Sequence, residues 1–343
     1  MLSKNRVWIF VFIGIFCLIG WNIRKGILEQ KRTVVMVGSV AMETFAMGIE
    51  ERMRELKEKE NIFRESELEL IAEGVEEKKQ LTKGKVVAQF IGSSAGVEAL
   101  LNGKAHIAMV SRYLTKEEKQ KGLIENVVAY DSIVVVVNKK NPINNLSKKQ
   151  LVELFSGRIV NWKQLGGVDE PIIPIGRELG SGTRDEFEHL LGIEGKTVYA
   201  NECDNIGIIK EKVSLLLGGI GYISYEVALE QSFWKESGIK ILAIEQTVPT
   251  KETIANGTYF LIRPFIFVTK GRIEQQIEEV QEIFDLLSSK QGEIIFERAK
   301  VVPATEKFTN ERGYPRSDCK SFYQNNGIFD NNNSRFNELL PYL

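Results

Sequence analysis

The turn at residues 180–183, Gly-Ser-Gly-Thr, carries the most specific chemistry in the 343-residue sequence. It stands between a strand-like segment at 172–175 and a helical segment at 186–191. Free N–H groups at a helix start, glycines that let an anion approach the main chain, and hydroxyl donors together form an oxyanion site. A helix cap with surface arginines is the alternative for an isolated turn. The candidate anion ligands here are Arg177, Ser181, Gly182 and Thr183, with Arg184 as a second possible charged donor.

Three kinds of catalytic or nucleotide-binding motif do not fit this region. A nucleophile elbow requires G-x-S-x-G, but Leu179 occupies the first glycine position before Ser181. A nucleotide-type phosphate loop requires a glycine five places before Gly-Lys-Thr, and Leu190 stands there. His189 follows a glutamate, so H-E-x-x-H is absent. Because the sequence has two histidines and three cysteines without metal spacing, we expect no enzyme activity, no metal and no cofactor.

Hydroxyl residues also follow other strand-like segments, each just before a helical one. Serines in such loops are ordinary turn and cap residues when taken singly. In open α/β sheets, however, the loops at the carboxyl ends of the strands meet at one edge, where ligands bind. We therefore expect four serines to converge on the same anion, namely Ser39, Ser93, Ser94 and Ser111.

Strand-like and helical segments alternate along the chain, which predicts an α/β fold. Two apolar segments, residues 126–138 and 258–269, are interpreted as strands that cross between two lobes. The first lobe is then expected at 33–132 and 264–303, and the second at 133–263. The alternative is that both segments are buried strands of one sheet.

The charge balance constrains the partner. The sequence has 45 Lys and Arg residues against 46 Asp and Glu residues, which argues against a nucleic-acid partner held by a broad basic face. Any preference for an anion must therefore be local.

The N-terminal residues 7–23 carry no charge and are flanked by basic residues. This pattern predicts a signal peptide or signal anchor, with residues 1–32 as anchor and linker and the rest of the chain at the extracellular face of the plasma membrane. An uncleaved anchor is favoured over lipidation of Cys17, because the residues before Cys17 are not the small ones that a signal peptidase prefers.

Two features beyond the anchor receive no function. The Asn-rich tail at 304–343 is expected to be surface cover or disorder. Cys203 and Cys319 could form a disulfide in an oxidising compartment, but two free thiols are the favoured interpretation.

From residue 33 to 303 the sequence resembles the phosphate-binding proteins of phosphate ABC transporters. The motifs that carry the resemblance are VGS, GSSAGVEALLNG, VSRYLTKEE, VVVVNKKNPINNLSKKQLVELFSGRIVNWKQLGG, IGRELGSGTRDEF, GGIGYIS, LIRPFIFVTKG and LLSSKQGEIIFERAKVVP.

The resemblance implies a two-lobe periplasmic-binding-protein type II fold with two hinge-crossing segments. It implies binding of inorganic phosphate by Arg177, Ser181, Gly182 and Thr183, together with Ser93, and delivery to a membrane ABC permease. We expect the chain to act as a monomer.

Two departures from the family pattern concern the site. Val40 and Ala41 follow Ser39 where the family usually has a hydroxyl residue, and Ser111 with Arg112 stands where some members have Asp. The alternative function is therefore a non-transporting surface protein, such as a phosphate sensor, adhesin or assembly factor, that retains the fold.

Overall fold

The structure, a computed structural model, describes residues 33–71, 85–229 and 238–304. The expected membrane segment at 7–23, Cys17, Cys319 and the tail from residue 305 onward lie outside these ranges. The anchor, and the favoured interpretation of Cys203 and Cys319 as two free thiols, therefore stay predictions. Within the described ranges, no helix combines the length and apolar character that crossing a bilayer requires.

The first part of the chain forms parallel strands covered by helices. The strands are β1 (Thr33–Gly38), β2 (Lys85–Phe90) and β3 (Ile107–Val110), with β1 hydrogen-bonded to both others. The helices are α1 (Glu43–Ile71), α2 (Ser93–Leu101) and α3 (Lys116–Gln120), and a 3-10 turn, Val40–Met42, follows β1. These strands precede the loops that carry Ser39, Ser93 and Ser111, which confirms that the serines follow strands. Their carboxyl ends lie at one edge of the sheet, as parallel pairing requires.

Two long antiparallel strands stand at the centre of the sheet. Strand β4 (Leu123–Asn138) pairs with β11 (Ile262–Lys270) over its first part, up to Ser132, and with β8 (Gly219–Ser224) from Ile133 onward. The full order is β2-β1-β3-β11-β4-β8-β6-β7, where β6 is Ile173–Arg177 and β7 is Asn201–Cys203. Strands β9 (Ile239–Ile241) and β12 (Val302–Pro303) also pair with β4. Strand β4 thus joins β11, which pairs with β3 of the first part of the chain, to β8 of the second part.

The expected strand at 258–269 begins later than the apolar pattern indicated, at Ile262. The preceding residues are apolar for a different reason. Tyr259 and Leu261 are wholly buried in the core of the second part of the chain. The Tyr259 hydroxyl donates to the Ile133 carbonyl at 3.1 Å, and the Ile133 N–H donates to the Leu261 carbonyl at 2.8 Å.

The middle of the chain builds the other end of the sheet, where β6 is parallel to both β7 and β8. Its elements are β5 (Asn145–Leu146), α4 (Lys148–Phe155), a 3-10 turn (Trp162–Leu165), β6 (Ile173–Arg177), α5 (Gly182–Leu191), β7 (Asn201–Cys203), α6 (Ile206–Leu215), β8 (Gly219–Ser224), α7 (Tyr225–Leu229), β9 (Ile239–Ile241), β10 (Ala243–Ile244) and α8 (Lys251–Ala255). The turn at 180–183 thus connects β6 to α5, as the sequence predicted.

The last elements return to the first part of the chain. They are a 3-10 turn (Ile273–Gln275), α9 (Glu278–Leu287), α10 (Lys290–Arg298) and β12 (Val302–Pro303). The Phe45 ring of α1 lies 5.3 Å from the Phe296 ring of α10 and 6.0 Å from the Phe267 ring of β11, measured between centroids. These aromatic contacts pack α1 against both α10 and β11.

Gly96 sets how closely α2 packs on the sheet. A β-carbon at this position would lie 2.4 Å from the Val37 carbonyl oxygen and 2.7 Å from the Gly38 α-carbon. Only a glycine lets the helix rest directly on the main chain of β1. This packing fixes the start of α2 at the carboxyl end of β1.

Glu186 of α5 is a buried carboxyl group at a contact between the two parts of the chain. Its side chain is 2% exposed, and Oε1 has no hydrogen-bond partner within the described ranges. Burial raises the pKa of Glu186 to about 7, although His189, Arg263, the Tyr113 main chain and Arg112 act in the opposite direction. The folded state therefore favours the neutral acid below about pH 7.

The first prediction concerns Gly96→Ala. Alanine in place of glycine inside a helix ordinarily stabilises by about 1 kcal/mol. At Gly96 the added methyl group would clash with the main chain of β1, so alanine destabilises the protein here. We expect the free energy of unfolding to fall by about 1–3 kcal/mol. Urea denaturation measures it. Gly48→Ala on α1 is the control, because its nearest neighbour is the Ile295 γ2-methyl group at 3.2 Å, a milder contact than the main-chain contact of Gly96. Equal effects of the two variants would contradict the packing described here.

The second prediction concerns the pH dependence of stability. The folded-state pKa of Glu186 lies above its ordinary value of 4.5. Its contribution to stability is therefore complete below about pH 4.5 and is lost as the pH rises to about 7. Glu186→Gln removes this pH-dependent contribution. The free energy of unfolding of the variant should therefore rise relative to that of the wild type as the pH increases from 5 to 7. Glu98→Gln, at an exposed position, is the control variant.

Candidate anion-binding site

The starts of two helices meet at the carboxyl edge of the strands. Helix α2 begins after Gly92, and α5 begins after Ser181, and neither N-cap residue uses a side chain to cap its helix. The Ser94 N–H donates to the Gly180 carbonyl at 3.3 Å, which joins the two turns. The first N–H groups of a helix have no acceptor within the helix. The free N–H groups of two helix starts therefore lie side by side, which favours binding of an anion between them.

Gly182 brings the start of α5 into close contact with two of the serine loops. A β-carbon on Gly182 would lie 2.1 Å from Ser93 Oγ and 2.7 Å from Ser111 Oγ. The start of α5 can therefore touch both serines only because residue 182 has no side chain. This contact brings together three of the residues that the sequence predicted.

Ser39 completes a hydroxyl cluster with Ser93 and Ser111. The three side chains are at most 2% exposed. Ser39 Oγ and Ser111 Oγ are 2.9 Å apart, and the Ser111 N–H donates to Ser93 Oγ at 3.2 Å. Ser39 Oγ also accepts from the Ala41 N–H at 3.3 Å, so Ser39 caps the 3-10 turn that follows β1.

The cluster is rich in hydrogen-bond donors. Main-chain N–H groups already occupy acceptor positions on Ser39 and Ser93, and the bond between Ser39 and Ser111 uses one hydroxyl hydrogen. Each hydroxyl supplies one hydrogen, so two hydroxyl hydrogens remain without an acceptor within the described ranges. Buried donors of this kind require an acceptor, and an oxyanion would supply one.

Arg177 lies beside the turn but is bound to other groups. Its side chain is 2% exposed. Nε and Nη2 donate to the Glu178 carboxylate at 2.8 and 2.9 Å, and to the carbonyls of Cys203 and Asp204 at 3.2 and 3.3 Å. Nη1 has no hydrogen-bond partner within the described ranges, so one nitrogen is left for the predicted role of Arg177 in anion binding.

The remaining predicted site residues occupy different positions. Ser181 is buried as the N-cap of α5, whereas Ser94 is half-buried where its N–H donates to the Gly180 carbonyl. Arg184 is turned away from the cluster, because it pairs with Glu188 at 2.9 Å and with Glu202 at 2.8 Å.

Arg112 connects the loop after β3 to α5. Its guanidinium forms two bonds of 2.8 Å with Glu118 and one of 2.9 Å with Asp185. The sequence analysis named Arg112 only together with Ser111, at the position where some members of the family have Asp. The structure adds that its charge is balanced by two carboxylates.

Val40 and Ala41, which follow Ser39 in place of the hydroxyl residues that the resemblance led us to expect, line a neighbouring cleft of about 290 Å³. Glu43 lies in the same cleft, and Asp204 is exposed. Neither carboxylate belongs to the buried hydroxyl cluster.

Sequence reasoning missed a buried ion pair next to the turn. Arg263 of β11 donates through Nε and Nη2 to Asp131 Oδ2 of β4, at 2.9 and 2.6 Å, and both side chains are wholly buried. Arg263 Nη1 donates to Thr183 Oγ1 at 2.5 Å. Burial raises the pKa of Asp131, while Arg263 acts in the opposite direction. The available signal was a single charge inside each of the apolar segments 126–138 and 258–269.

Comparison with known proteins supports a family assignment. The family model of the PBP superfamily domain matches residues 66–282. The phosphate-binding protein PstS of Borreliella burgdorferi is 34% identical over 226 residues, which cover 62% of this chain and 77% of that protein. PstS of Staphylococcus aureus is 29% identical over 253 residues, covering 71% and 76% of the two chains.

Solved structures give the same result. A phosphate ABC transporter substrate-binding protein from Clostridium perfringens, crystallised with bound phosphate, has a TM-score of 0.64 and 30% identity and covers 80% of this chain and 100% of that one. An ABC-type phosphate transport receptor from Vibrio cholerae has a TM-score of 0.59 and 30% identity, with coverages of 78% and 99%. The predicted α/β periplasmic-binding-protein fold is confirmed. The chain therefore belongs to the PBP superfamily, and within it to the PstS-like phosphate-binding proteins, a family of substrate-binding transport proteins and not of enzymes.

Proposed function

We propose that this chain binds inorganic phosphate outside the cytoplasm and delivers it to a membrane ABC permease. The observation that carries the proposal is the buried cluster in which Gly182 of α5 touches Ser93 and Ser111. Donors from two separate parts of the chain meet there, and two hydroxyl hydrogens have no acceptor within the described ranges. Phosphate oxygens are the acceptors that such a cluster requires.

Binding is proposed to couple to closure of two lobes, residues 33–132 with 264–303 against residues 133–263. Support comes from β4, whose pairing partner changes from β11 to β8 between Ser132 and Ile133. Ser39, Ser93 and Ser111 belong to the first proposed lobe, and the turn before α5 to the second. Because phosphate contacts both sets only when they meet, binding and closure favour each other.

Phosphate is proposed to be bound mainly by neutral donors. The ligands are the hydroxyls of Ser39, Ser93, Ser94, Ser111, Ser181 and Thr183, the main chain at Gly182, and Nη1 of Arg177. Glu178 compensates most of the Arg177 charge. Preorganised N–H and O–H dipoles in a buried site interact strongly with an anion without a net positive charge.

The chain is proposed to act as a monomer at the extracellular face of the membrane. Its relatives named PstS support an extracytoplasmic location. Residues 7–23, the uncharged segment between basic residues, are proposed as the anchor.

The third prediction tests the proposed site directly. Gly182→Ala should keep α5 intact, since alanine favours helices, but its methyl group would clash with Ser93 Oγ. Overpacking of this kind costs about 1–3 kcal/mol, so phosphate binding should weaken about 5- to 150-fold. Calorimetry with inorganic phosphate on the full-length chain measures it, with Gly48→Ala as the control. Unchanged affinity in Gly182→Ala would refute the site, and a wild type without phosphate affinity would refute the proposed function.

The fourth prediction concerns selectivity between phosphate and sulfate. Hydrogen phosphate carries a proton to donate and sulfate does not, so a carboxylate in the site would accept from the first and repel the second. Ser111 can rotate to donate to either anion. We expect phosphate to bind better than sulfate by a modest margin, and Ser111→Asp to widen the margin.

Competition calorimetry at neutral pH measures this selectivity. Ser111→Asn is the matched control, because asparagine has the shape of aspartate without its charge. Sulfate that fails to compete with wild-type binding at large excess would indicate another carboxylate acceptor. A ratio unchanged in Ser111→Asp would remove Ser111 from the site.

A further inference from the structure

Arg263 is an unusual residue for its position. It lies in the apolar strand β11 and is wholly buried. Its register partner on β4 is Asp131, one position before the last paired residues, Ile262 and Ser132, where β4 changes partner. A buried guanidinium costs several kcal/mol unless it is paired, and Asp131 supplies the pairing through two hydrogen bonds.

The third nitrogen of Arg263 acts outside the ion pair. Nη1 donates to Thr183 Oγ1, the second residue of α5. A guanidinium has only donors, so the Thr183 oxygen must be the acceptor in this bond. The hydroxyl hydrogen of Thr183 therefore points away from Arg263, and no group within the described ranges is recorded as its acceptor.

Thr183 stands where a directed donor would meet an anion. It follows Gly182, the residue that touches Ser93 and Ser111 at the start of α5. Without Arg263 the threonine hydroxyl would rotate among several orientations, and some would turn its lone pairs toward the anion. A charged donor behind the oxygen removes that freedom and polarises the O–H bond, which strengthens its donation.

We propose that Arg263 is a positioning residue for phosphate, which fixes the Thr183 hydroxyl as a donor and, through Asp131, ties that donor to the crossing strands β4 and β11. The proposal rests on the proposed function and adds a residue that does not touch the ligand itself. Since Asp131 balances the charge, Arg263 contributes orientation and polarisation and little net attraction.

A merely structural ion pair would have different consequences. Such a pair would stabilise the contact between β4 and β11, and its loss would lower stability without changing what the Thr183 hydroxyl contributes to binding. Coupling between Thr183 and Arg263 in phosphate affinity separates the two roles, because only a positioning role makes the two residues interdependent.

The test is a double-mutant cycle on the full-length chain, read by calorimetry with inorganic phosphate. One change is Thr183→Val, which removes the hydroxyl at nearly constant shape. The other is the neutral pair Asp131→Asn with Arg263→Gln, which avoids leaving a buried charge unpaired. We expect Thr183→Val to weaken binding about tenfold or more in the wild type and less than about threefold in the neutral-pair background. Thr183→Ser, which keeps the hydroxyl, should stay close to wild-type affinity.

Two results would overturn the proposal. Equal losses from Thr183→Val in both backgrounds would assign the ion pair a structural role alone, and the proposed function would stand. A wild type that binds no phosphate would remove the proposed function and this inference together. If circular dichroism shows that the neutral pair does not fold, Arg263→Lys replaces it. Lysine keeps the charge but not the planar fork of donors, so Thr183→Val should again cost less than about threefold in that background, and a full loss there would equally overturn the proposal.

Discussion

The contact of Gly182 with Ser93 and Ser111 is the constraint on which the candidate site depends. A methyl group at Gly182 would lie 2.1 Å from Ser93 Oγ, so the main chain of α5 reaches the serines only without a side chain. The contact also requires that α2 start close to the carboxyl end of β1. Gly96 sets this position, because its main chain packs directly against β1. Two glycines at helix–sheet and helix–helix contacts thus determine where the hydroxyl and N–H donors meet.

The site combines anion chemistry with nearly complete charge compensation. Arg177 pairs with Glu178, Arg263 with Asp131, and Arg112 with Glu118 and Asp185. Unpaired buried cations would be costly before the ligand arrives. Neutral donors avoid that cost, and they select ligands by the direction of hydrogen bonds more than by charge. This explains how a chain with almost equal numbers of acidic and basic residues can hold an anion.

The crossing strands have a second role beyond joining the two parts of the sheet. Strand β4 is buried along most of its length and shares partners with both ends of the sheet. The buried pair of Asp131 and Arg263 lies next to the position where β4 changes its pairing partner. Arg263 also donates a hydrogen bond to Thr183 of the turn at residues 180–183. A rearrangement of the crossing strands would therefore alter a donor in the candidate site, which would link the proposed closure of the lobes to phosphate binding.

The sequence by itself determined the α/β fold, the strands that carry the serine loops, and the turn that starts α5. These features are local, because hydrophobic period, glycine placement and helix-start chemistry act within a few residues. Tertiary structure alone decided the partners of the arginines. Arg263 meets Thr183 across 80 positions of the chain and Asp131 across 132, and Arg177 donates to the carbonyls of Cys203 and Asp204 across 26 and 27 positions. Which buried charge meets which partner depends on how distant segments pack together, and residue spacing carries no direct record of that packing.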